Sequence, residues 1–179
     1  MYSTYENCRN LAYAVCGNKV ENMMNTYRNC GVIVAVCGEN VKDMTSTYMH
    51  CWNLEYPACG PNVTIMNNTY RDCTNLKTAV CGPNVVTMCE TYVNCYNLTT
   101  AVCGPNVTLM YKTYVNCKNI TEAVFGPKVT TANQTYASCH GIKKAVCPDT
   151  ITHFGAYSGC NGITEAVCGN NVKSMDATY

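Results

Sequence analysis

A phrase of 22 residues recurs along the whole chain, and this recurrence limits the possible folds more than any other feature of the sequence. After a lead of five residues, eight consecutive units each end at a tyrosine: 6–27, 28–48, 49–70, 71–92, 93–114, 115–136, 137–157 and 158–179. A fixed period of 21 or 22 residues is typical of solenoids, in which each repeat forms one coil stacked on the last. We therefore predict that residues 1–179 form a single repeat domain of eight coils.

The fifth unit, VNCYNLTTAVCGPNVTLMYKTY at 93–114, shows how one coil is expected to fold. Its centre, GPN at 104–106, has strong turn chemistry, which argues against a helix running through the unit. The residues just before it, AVC at 101–103, favour a short strand that stacks on its equivalents in neighbouring coils. We therefore predict a mainly β solenoid of the leucine-rich-repeat type, with one parallel β-sheet and an irregular, turn-rich opposite side.

Two units are one residue short, and two depart from the common pattern. The second unit is shortened between Ile33 and Ala35 and the seventh between Phe154 and Tyr157, which predicts a tightened corner at each place. Ala132 and Phe154 replace the methionine at position 18 of the sixth and seventh units. We expect a bend or a specialised surface in these two units.

Fifteen of the sixteen cysteines fall at two positions of the unit. The third position carries Cys8, Cys30, Cys51, Cys73, Cys95, Cys117, Cys139 and Cys160, and the eleventh carries Cys16, Cys37, Cys59, Cys81, Cys103, Cys147 and Cys168. In the sixth unit Phe125 stands at the eleventh position, which indicates that these side chains fill apolar volume. We predict two columns of reduced cysteines in the core. Systematic disulfides and metal binding remain open as alternatives.

The tenth position, between the inward-facing ninth and eleventh, is predicted to form an outward-facing apolar strip. Neighbouring strand residues point to opposite faces, so Ala and Cys facing the core place the tenth side chain outside. An extended apolar strip of this kind is typical of an interface with another copy or a partner. The predicted strip consists of Val15, Val36, Val80, Val102, Val124, Val146 and Val167.

A tyrosine column ends every unit. Its members are Tyr5, Tyr27, Tyr48, Tyr70, Tyr92, Tyr114, Tyr136, Tyr157 and Tyr179. We predict a stack of partly buried rings with hydroxyls near the surface, with an exposed aromatic binding stripe as the alternative. Because no polar cap is visible at either end, Tyr5 and Tyr179 are predicted to take part in contacts between copies.

The phrase NVTLMYKTYVNCKNITEAV at 106–124 resembles the BspA-like group of leucine-rich repeats, in which NVTxMxxxFxxCxxL recurs in surface proteins of bacteria and protists. Tyr114 stands where that group has phenylalanine, and a Cys-Gly-Pro turn stands where it has a longer linking segment. The resemblance extends through all eight units. It implies a right-handed solenoid with a role in adhesion or protein binding, and it implies no catalytic residues.

The sequence contains no motif of a known reaction centre. It has no phosphate loop, no GxSxG and no HExxH, and its carboxylates are dispersed. His50, His140 and His153 fall at three different positions of the unit and are not expected to converge on a metal. We therefore predict a protein that is not an enzyme and needs no cofactor. The net charge of +1 gives no basis for nucleic-acid binding, and no run of about 18 apolar residues predicts membrane insertion.

Three classes of function remain. The first is a structural protein that associates with itself, head to tail or laterally, into a surface or extracellular fibre. The second is an adhesin or receptor-type module that binds a host or cell-surface protein, as part of a longer repeat protein. The third is an ice-binding solenoid that uses the threonine column before the tyrosine (Thr26, Thr47, Thr69, Thr91, Thr113, Thr135 and Thr178). The first two place the protein outside the cell or at its surface, although the sequence shows no signal peptide.

Overall fold

The computed structural model describes residues 1–175 as a stack of similar coils. Its strands are β1 (Tyr13–Val15), β2 (Val34–Val36), β3 (Lys144–Val146) and β4 (Glu165–Val167). β1 pairs in parallel with β2, and β3 pairs in parallel with β4. The described residues contain no helix, and so none that could cross a membrane. The fold is a stack of coils with few and short parallel strands.

A second line of parallel contacts follows the central turn of each coil, which is GPN in the third, fourth and fifth coils. Single-residue bridges join Asn22 to Asp43, Asp43 to Ile65, Ile65 to Thr87, Thr87 to Leu109, Leu109 to Thr131, and His153 to Ser174. These residues stand at position 17 of successive units. The side opposite the strands therefore also carries regular main-chain pairing, whereas the sequence predicted an irregular side there.

The prediction of one continuous sheet was wrong, because tyrosine hydroxyls interrupt the ladder between the middle coils. In the fifth coil the Tyr114 hydroxyl donates to the Val102 carbonyl (2.6 Å) and accepts from the Val102 amide (3.0 Å). In a parallel ladder these two groups of Val102 would bond to the preceding coil. The same arrangement occurs at Tyr92, Tyr136 and Tyr157.

At the junction of the first and second coils, where β1 pairs with β2, the tyrosine hydroxyl of the second coil does not bond to the main chain of position 10. Val36 in β2 accepts a ladder bond from the Cys16 amide (3.3 Å), so its carbonyl is occupied by the preceding coil. Tyr48, the tyrosine of this coil, has a buried hydroxyl with no hydrogen-bond partner among residues 1–175. The choice between a strand pair and a tyrosine bond at position 10 therefore decides where the short sheets end.

Two corners of each coil use left-handed backbone. At position 2 the residues Asn7, Asn29, His50, Asp72, Asn94, Asn116, Ser138 and Gly159 have φ between 47° and 73°, as do Ser3, Asn25, Ser46, Asn68, Glu90, Lys112 and Gln134 at position 20. Asparagine at position 2 suits this conformation because its short polar side chain tolerates it. It also joins the coils, since Asn116 Nδ2 donates to Asn94 Oδ1 (2.8 Å) and Asn94 Nδ2 donates to Asp72 Oδ1 (2.7 Å).

The threonine column before each tyrosine is part of the core. Thr26, Thr47, Thr69, Thr91, Thr113 and Thr135 are fully buried, and Thr178 lies outside the described residues. Each buried hydroxyl satisfies a main-chain carbonyl of the preceding coil, as in the bond from Thr91 Oγ1 to the Met66 carbonyl (2.7 Å). The ice-binding hypothesis for this column was therefore wrong, because its threonines cannot reach an external surface.

The shortening of the second coil lies earlier than the sequence indicated. Ala35 pairs with Ala14 in register, and Val32 is fully buried at the place of the core leucine of other coils. The missing residue therefore falls between Cys30 and Val32 rather than between Ile33 and Ala35. Gly31 makes the tight passage possible, since a Cβ there would lie 2.0 Å from the Arg9 carbonyl oxygen.

In the sixth and seventh coils a large side chain at one of positions 11 and 18 is accompanied by a small side chain at the other. Phe125 replaces cysteine at position 11, and the small Ala132 follows it at position 18 of the same coil. In the seventh coil the small Cys147 stands at position 11 and Phe154 at position 18. The rings of Phe125 and Phe154 meet edge to face, with centroids 6.0 Å apart. The departures from the pattern therefore compensate one another within the core.

Candidate interaction surface

The side chains at position 10 lie on the outer face of the strand region, which we call the strand face. In the first coil Ala14 and Cys16 are buried and Val15 is exposed. Val36, Val146 and Val167 are also exposed, while Val80, Val102 and Val124 are half-buried. The half-buried valines belong to the coils in which tyrosine bonds replace the ladder. The apolar strip is therefore most open at the two ends of the stack.

An apolar patch occupies the strand face of the first three coils. We call it the N-terminal patch, and it consists of Tyr13, Val15, Ile33, Val36 and Tyr56, which are between 38% and 70% exposed. Its tyrosines stand at position 8, which the sequence reading did not single out. Apolar residues at position 8 of the first three units, where later units carry threonine or charge, are the signal that could have revealed it.

The side chains of the strand face change from apolar to charged along the stack. In the later coils positions 7 and 8 carry exposed Lys77, Glu122, Lys143, Lys144 and Glu165. Lys144 and Glu165 form an ion pair across β3 and β4. The strand face is thus mainly apolar in the first three coils, where Glu55 is its one charge at positions 7 and 8, and charged in the last three.

The tyrosine column is an internal stack rather than an exposed stripe. Successive rings lie parallel with centroids 5.2–5.8 Å apart from Tyr5 to Tyr157. Burial raises the pKa of Tyr27 to about 12 and that of Tyr70 well above its ordinary value. Tyr5 is 42% exposed, and Tyr179 lies outside the described residues.

The third-position cysteines join adjacent coils through their thiols. Cys73 Sγ donates to the Tyr48 carbonyl (3.1 Å) and Cys95 Sγ to the Tyr70 carbonyl (3.1 Å). Equivalent bonds are made by Cys30, Cys51, Cys117, Cys139 and Cys160, all of which are buried. Burial raises the pKa of Cys51 to about 12. Cysteine suits this column because a small side chain must both fill apolar space and satisfy a buried carbonyl.

The eleventh-position cysteines are less enclosed. Cys16 and Cys147 are buried, whereas Cys37, Cys59, Cys81 and Cys103 are half-buried. Cys168 at this position and Cys8 at the third position are exposed, which corrects the prediction that they are core residues. Both belong to the outermost coils of the described stack, where a neighbour covers only one side. All sixteen cysteines carry free thiols.

The histidines lie apart from one another. His50 Nδ1 lies 3.2 Å from Asp72 Oδ2, beside an ion pair of Arg71 with Glu90, while His140 and His153 are exposed in the seventh coil. Among residues 1–175 no group of three or more His, Cys, Asp or Glu side chains is placed to hold a metal ion. The contact between His50 and Asp72 joins the third coil to the fourth.

Removing one hydroxyl from the tyrosine column tests the role assigned to it. Tyr114→Phe is expected to lower the free energy of unfolding by about 1–3 kcal/mol, because it leaves the Val102 amide and carbonyl without their partner. Chemical denaturation measures the difference. The matched variant is Tyr48→Phe, which removes a buried hydroxyl without a partner and is expected to change stability by less than about 0.5 kcal/mol. Equal losses in the two variants would contradict the assigned role.

Comparisons with known proteins agree with this architecture. A family model described as the BspA type leucine rich repeat region, in six copies, matches residues 2–121 and 44–164. Among solved structures the chain is similar to a leucine-rich repeat protein from Bacteroides ovatus ATCC 8483, with a TM-score of 0.62 and 13% identity over 98% of this chain and 63% of that one. It is also similar to a leucine-rich repeat protein of T. pallidum, with a TM-score of 0.61 and 13% identity over 91% of this chain and 72% of that one.

At 13% sequence identity, the two solved structures show a similar fold and nothing further about this chain. The chain spans 63% of the length of the Bacteroides ovatus protein. A search of the curated proteins found no match.

Proposed function

Because the chain belongs to the BspA-type leucine-rich repeat family, we propose that it is a non-enzymatic structural protein that associates with itself through the strand face. The proposal takes residues 1–179 as one right-handed repeat domain. It places the protein in a fibre outside the cell or at its surface. The N-terminal patch is the observation that carries it.

The chemistry of the patch favours a second copy as the occupant. Tyr13 and Val15 in the first coil and Tyr56 in the third are each more than 60% exposed on the strand face. Exposed apolar side chains gathered in this way are typical of interaction sites, and tyrosines are enriched in them. Two copies that meet through the same patch bury it against itself in a two-fold contact. The strip of valines at position 10 then continues the contact along the stack.

Head-to-tail stacking is a second mode that can extend such pairs into a fibre. The outermost described coils expose Cys8 at one end and Cys168 at the other, in columns that are buried or half-buried between coils. A heterologous contact of this kind, repeated without closure, forms a filament.

An adhesin or receptor-type module that binds a host or cell-surface protein is the alternative function. It is favoured by the charged half of the strand face, where Lys143, Lys144, Glu122 and Glu165 give the surface an individual pattern. Such a pattern contributes to specificity for a partner more than to self-association.

The test compares two exposed valines on different sides of the stack. Val36→Asp places a charge in the N-terminal patch and is expected to weaken self-association by about tenfold or more, because an unpaired carboxylate would enter an apolar contact. Val86→Asp is the matched control, since Val86 is 41% exposed against 44% for Val36 but lies outside the strand face. Sedimentation equilibrium over a concentration series measures both.

Electron microscopy of the same samples distinguishes the two functions. Fibres or paired rods that Val36→Asp removes and Val86→Asp leaves intact support self-association. An association state that is the same in both variants would contradict the role of the patch. Single rods at every concentration would reject self-association and leave the binding-module alternative.

A further inference from the structure

The two cysteine columns differ in their sulfur chemistry. A third-position thiol such as Cys95 is fully buried and donates to a carbonyl. The eleventh-position thiols are half-buried in the second to fifth coils, and in the second, third and fifth of these they lie beside the methionine of position 18. The first column therefore supports the main chain, whereas the second combines two kinds of sulfur near the surface.

Thiol and thioether sulfurs are in direct contact in four coils. The Sγ–Sδ distance is 3.8 Å for Cys37 and Met44, 3.6 Å for Cys59 and Met66, 3.5 Å for Cys103 and Met110, and 3.5 Å for Cys168 and Met175. We call these four pairs the sulfur column. Met44, Met66 and Met110 are fully buried, so their thioethers are already free of water. The half-buried thiols form the side from which an ion could enter.

The glycine that follows each eleventh-position cysteine holds the thiols in line. A Cβ at Gly60 would lie 3.0 Å from Cys37 Sγ, and one at Gly82 would lie 3.0 Å from Cys59 Sγ. The absence of a side chain there lets each sulfur lie against the next coil. Burial, and to a smaller extent the neighbouring thiols Cys81 and Cys37, raise the pKa of Cys59 to about 12. The thiols of successive coils are thus close enough to influence one another.

We propose that the sulfur column binds Cu(I), with one ion between the thiolate and the thioether of each pair. Thiolate and thioether sulfurs are the ligands that select this soft cation. Two sulfurs that share one metal at roughly 2.3 Å lie about 3.7–4.0 Å apart in trigonal or tetrahedral coordination. The observed 3.5–3.8 Å needs little adjustment of the core.

The chain contains its own interruption of the column. The sixth coil has Phe125 and Ala132 at these two positions, and the seventh has Cys147 with Phe154, so neither coil offers a thiol with a thioether. The three interior pairs lie in the second, third and fifth coils, and the sixth and seventh coils separate them from the pair of Cys168 and Met175. This inference does not depend on self-association of the strand face.

Binding exchanges one proton for each ion. The thiol of each pair releases its proton to the solvent as the Cu–S bond forms. The affinity for Cu(I) is therefore expected to rise with pH. A thioether carries no exchangeable proton, so coordination by methionine alone would show no such dependence.

The test is an anaerobic titration of the reduced full chain with Cu(I) in competition with the chelator bicinchoninate. We expect about four bound ions per chain, one for each pair. Met44→Leu combined with Met66→Leu and Met110→Leu keeps the core volume and all thiols, and is expected to lose about three of them. Met24→Leu with Met49→Leu is the control, since these half-buried methionines stand at other positions of the unit.

X-ray absorption of the loaded protein is expected to show a shell of sulfur ligands only. Thermal unfolding of the metal-free variants shows whether the substituted cores are intact. The proposal is overturned if bicinchoninate retains all the Cu(I), or if the folded triple variant binds as many ions as the unsubstituted chain with the same affinity.

Discussion

Unfolding is expected as the pH rises from about 9 to about 11, because buried thiols hold their protons in the folded state. Burial raises the pKa of Cys51 from 9.0 to about 12 and those of Cys73, Cys95 and Cys117 well above 9.0, and Cys139 shifts in the same direction. Their pKa values are raised on folding, so the stability they contribute is present below about pH 9 and is lost as the pH rises through the folded-state values.

The effect is large because the groups act together. Each thiol that is protonated only in the folded state lowers the free energy of unfolding by about 1.4 kcal/mol for each unit of pH, so five such thiols lower it by about 7 kcal/mol. A domain stability of about 5–15 kcal/mol is then lost within about two units of pH. The buried phenols of Tyr70, Tyr92, Tyr114 and Tyr136 add to the loss, since burial raises their pKa values as well.

Circular dichroism under reducing conditions measures this transition, and the ultraviolet absorbance of tyrosinate should rise in step with it. Cys95→Ala is expected to reduce the pH dependence of stability by about 1.4 kcal/mol for each unit of pH, with the exposed Cys8→Ala as the reference variant. A folded state that persists at about pH 12, or a slope unchanged by Cys95→Ala, would show that the buried thiols do not control alkaline stability.

Gly60→Ala is expected to lower the free energy of unfolding by about 3 kcal/mol, near the upper end of the range for overpacking. A Cβ at Gly60 would lie 2.7 Å from the Gly38 carbonyl oxygen and 3.0 Å from Cys37 Sγ. The first of these atoms belongs to the main chain of the preceding coil, so relief requires the two coils to separate. Denaturant unfolding measures the loss.

The first coil provides a matched control for this substitution. Gly17 stands at the same position of its unit, but a Cβ there would meet no atom within 4 Å. Gly17→Ala is therefore expected to change stability by less than about 0.5 kcal/mol. If the two substitutions had equal effects, the close approach between coils would not be what requires glycine at this position.

The sequence was sufficient to predict the repeat architecture, because periodicity acts on every coil alike. The spacing of Cys95 and Cys103 within one unit, repeated in the others, indicated which residues form columns, and the family resemblance is confirmed. The chemistry of the GPN turn excluded helices for a physical reason, since proline and glycine interrupt the helical hydrogen-bond pattern. These are local properties that a single repeat already expresses.

The interruption of the sheet could not be predicted in the same way. It depends on whether the Tyr114 hydroxyl reaches the main chain of Val102 on the other side of the same coil. The residue types alone do not fix that distance. The left-handed corner at position 20 was equally hidden, because Glu90, Lys112 and Gln134 do not favour that conformation. The N-terminal patch was missed because Tyr13 and Tyr56 stand at a position that is polar or charged from the fourth unit onward.

The direction of the main-chain hydrogen bonds determines how this protein would respond to force. Bonds such as those from the Tyr92 amide to the Thr113 carbonyl (2.8 Å) and from the Asn94 amide to the Val115 carbonyl (2.9 Å) join one coil to the next. A pull on the two ends of the stack loads such junctions in series, so the weakest one yields while the others hold. Each detached coil releases up to roughly 75 Å of extended chain in place of the roughly 5 Å that it occupies in the stack. Under a pull at its two ends, the stack is therefore expected to lengthen in discrete steps, one for each coil that detaches, and energy is dissipated at each step.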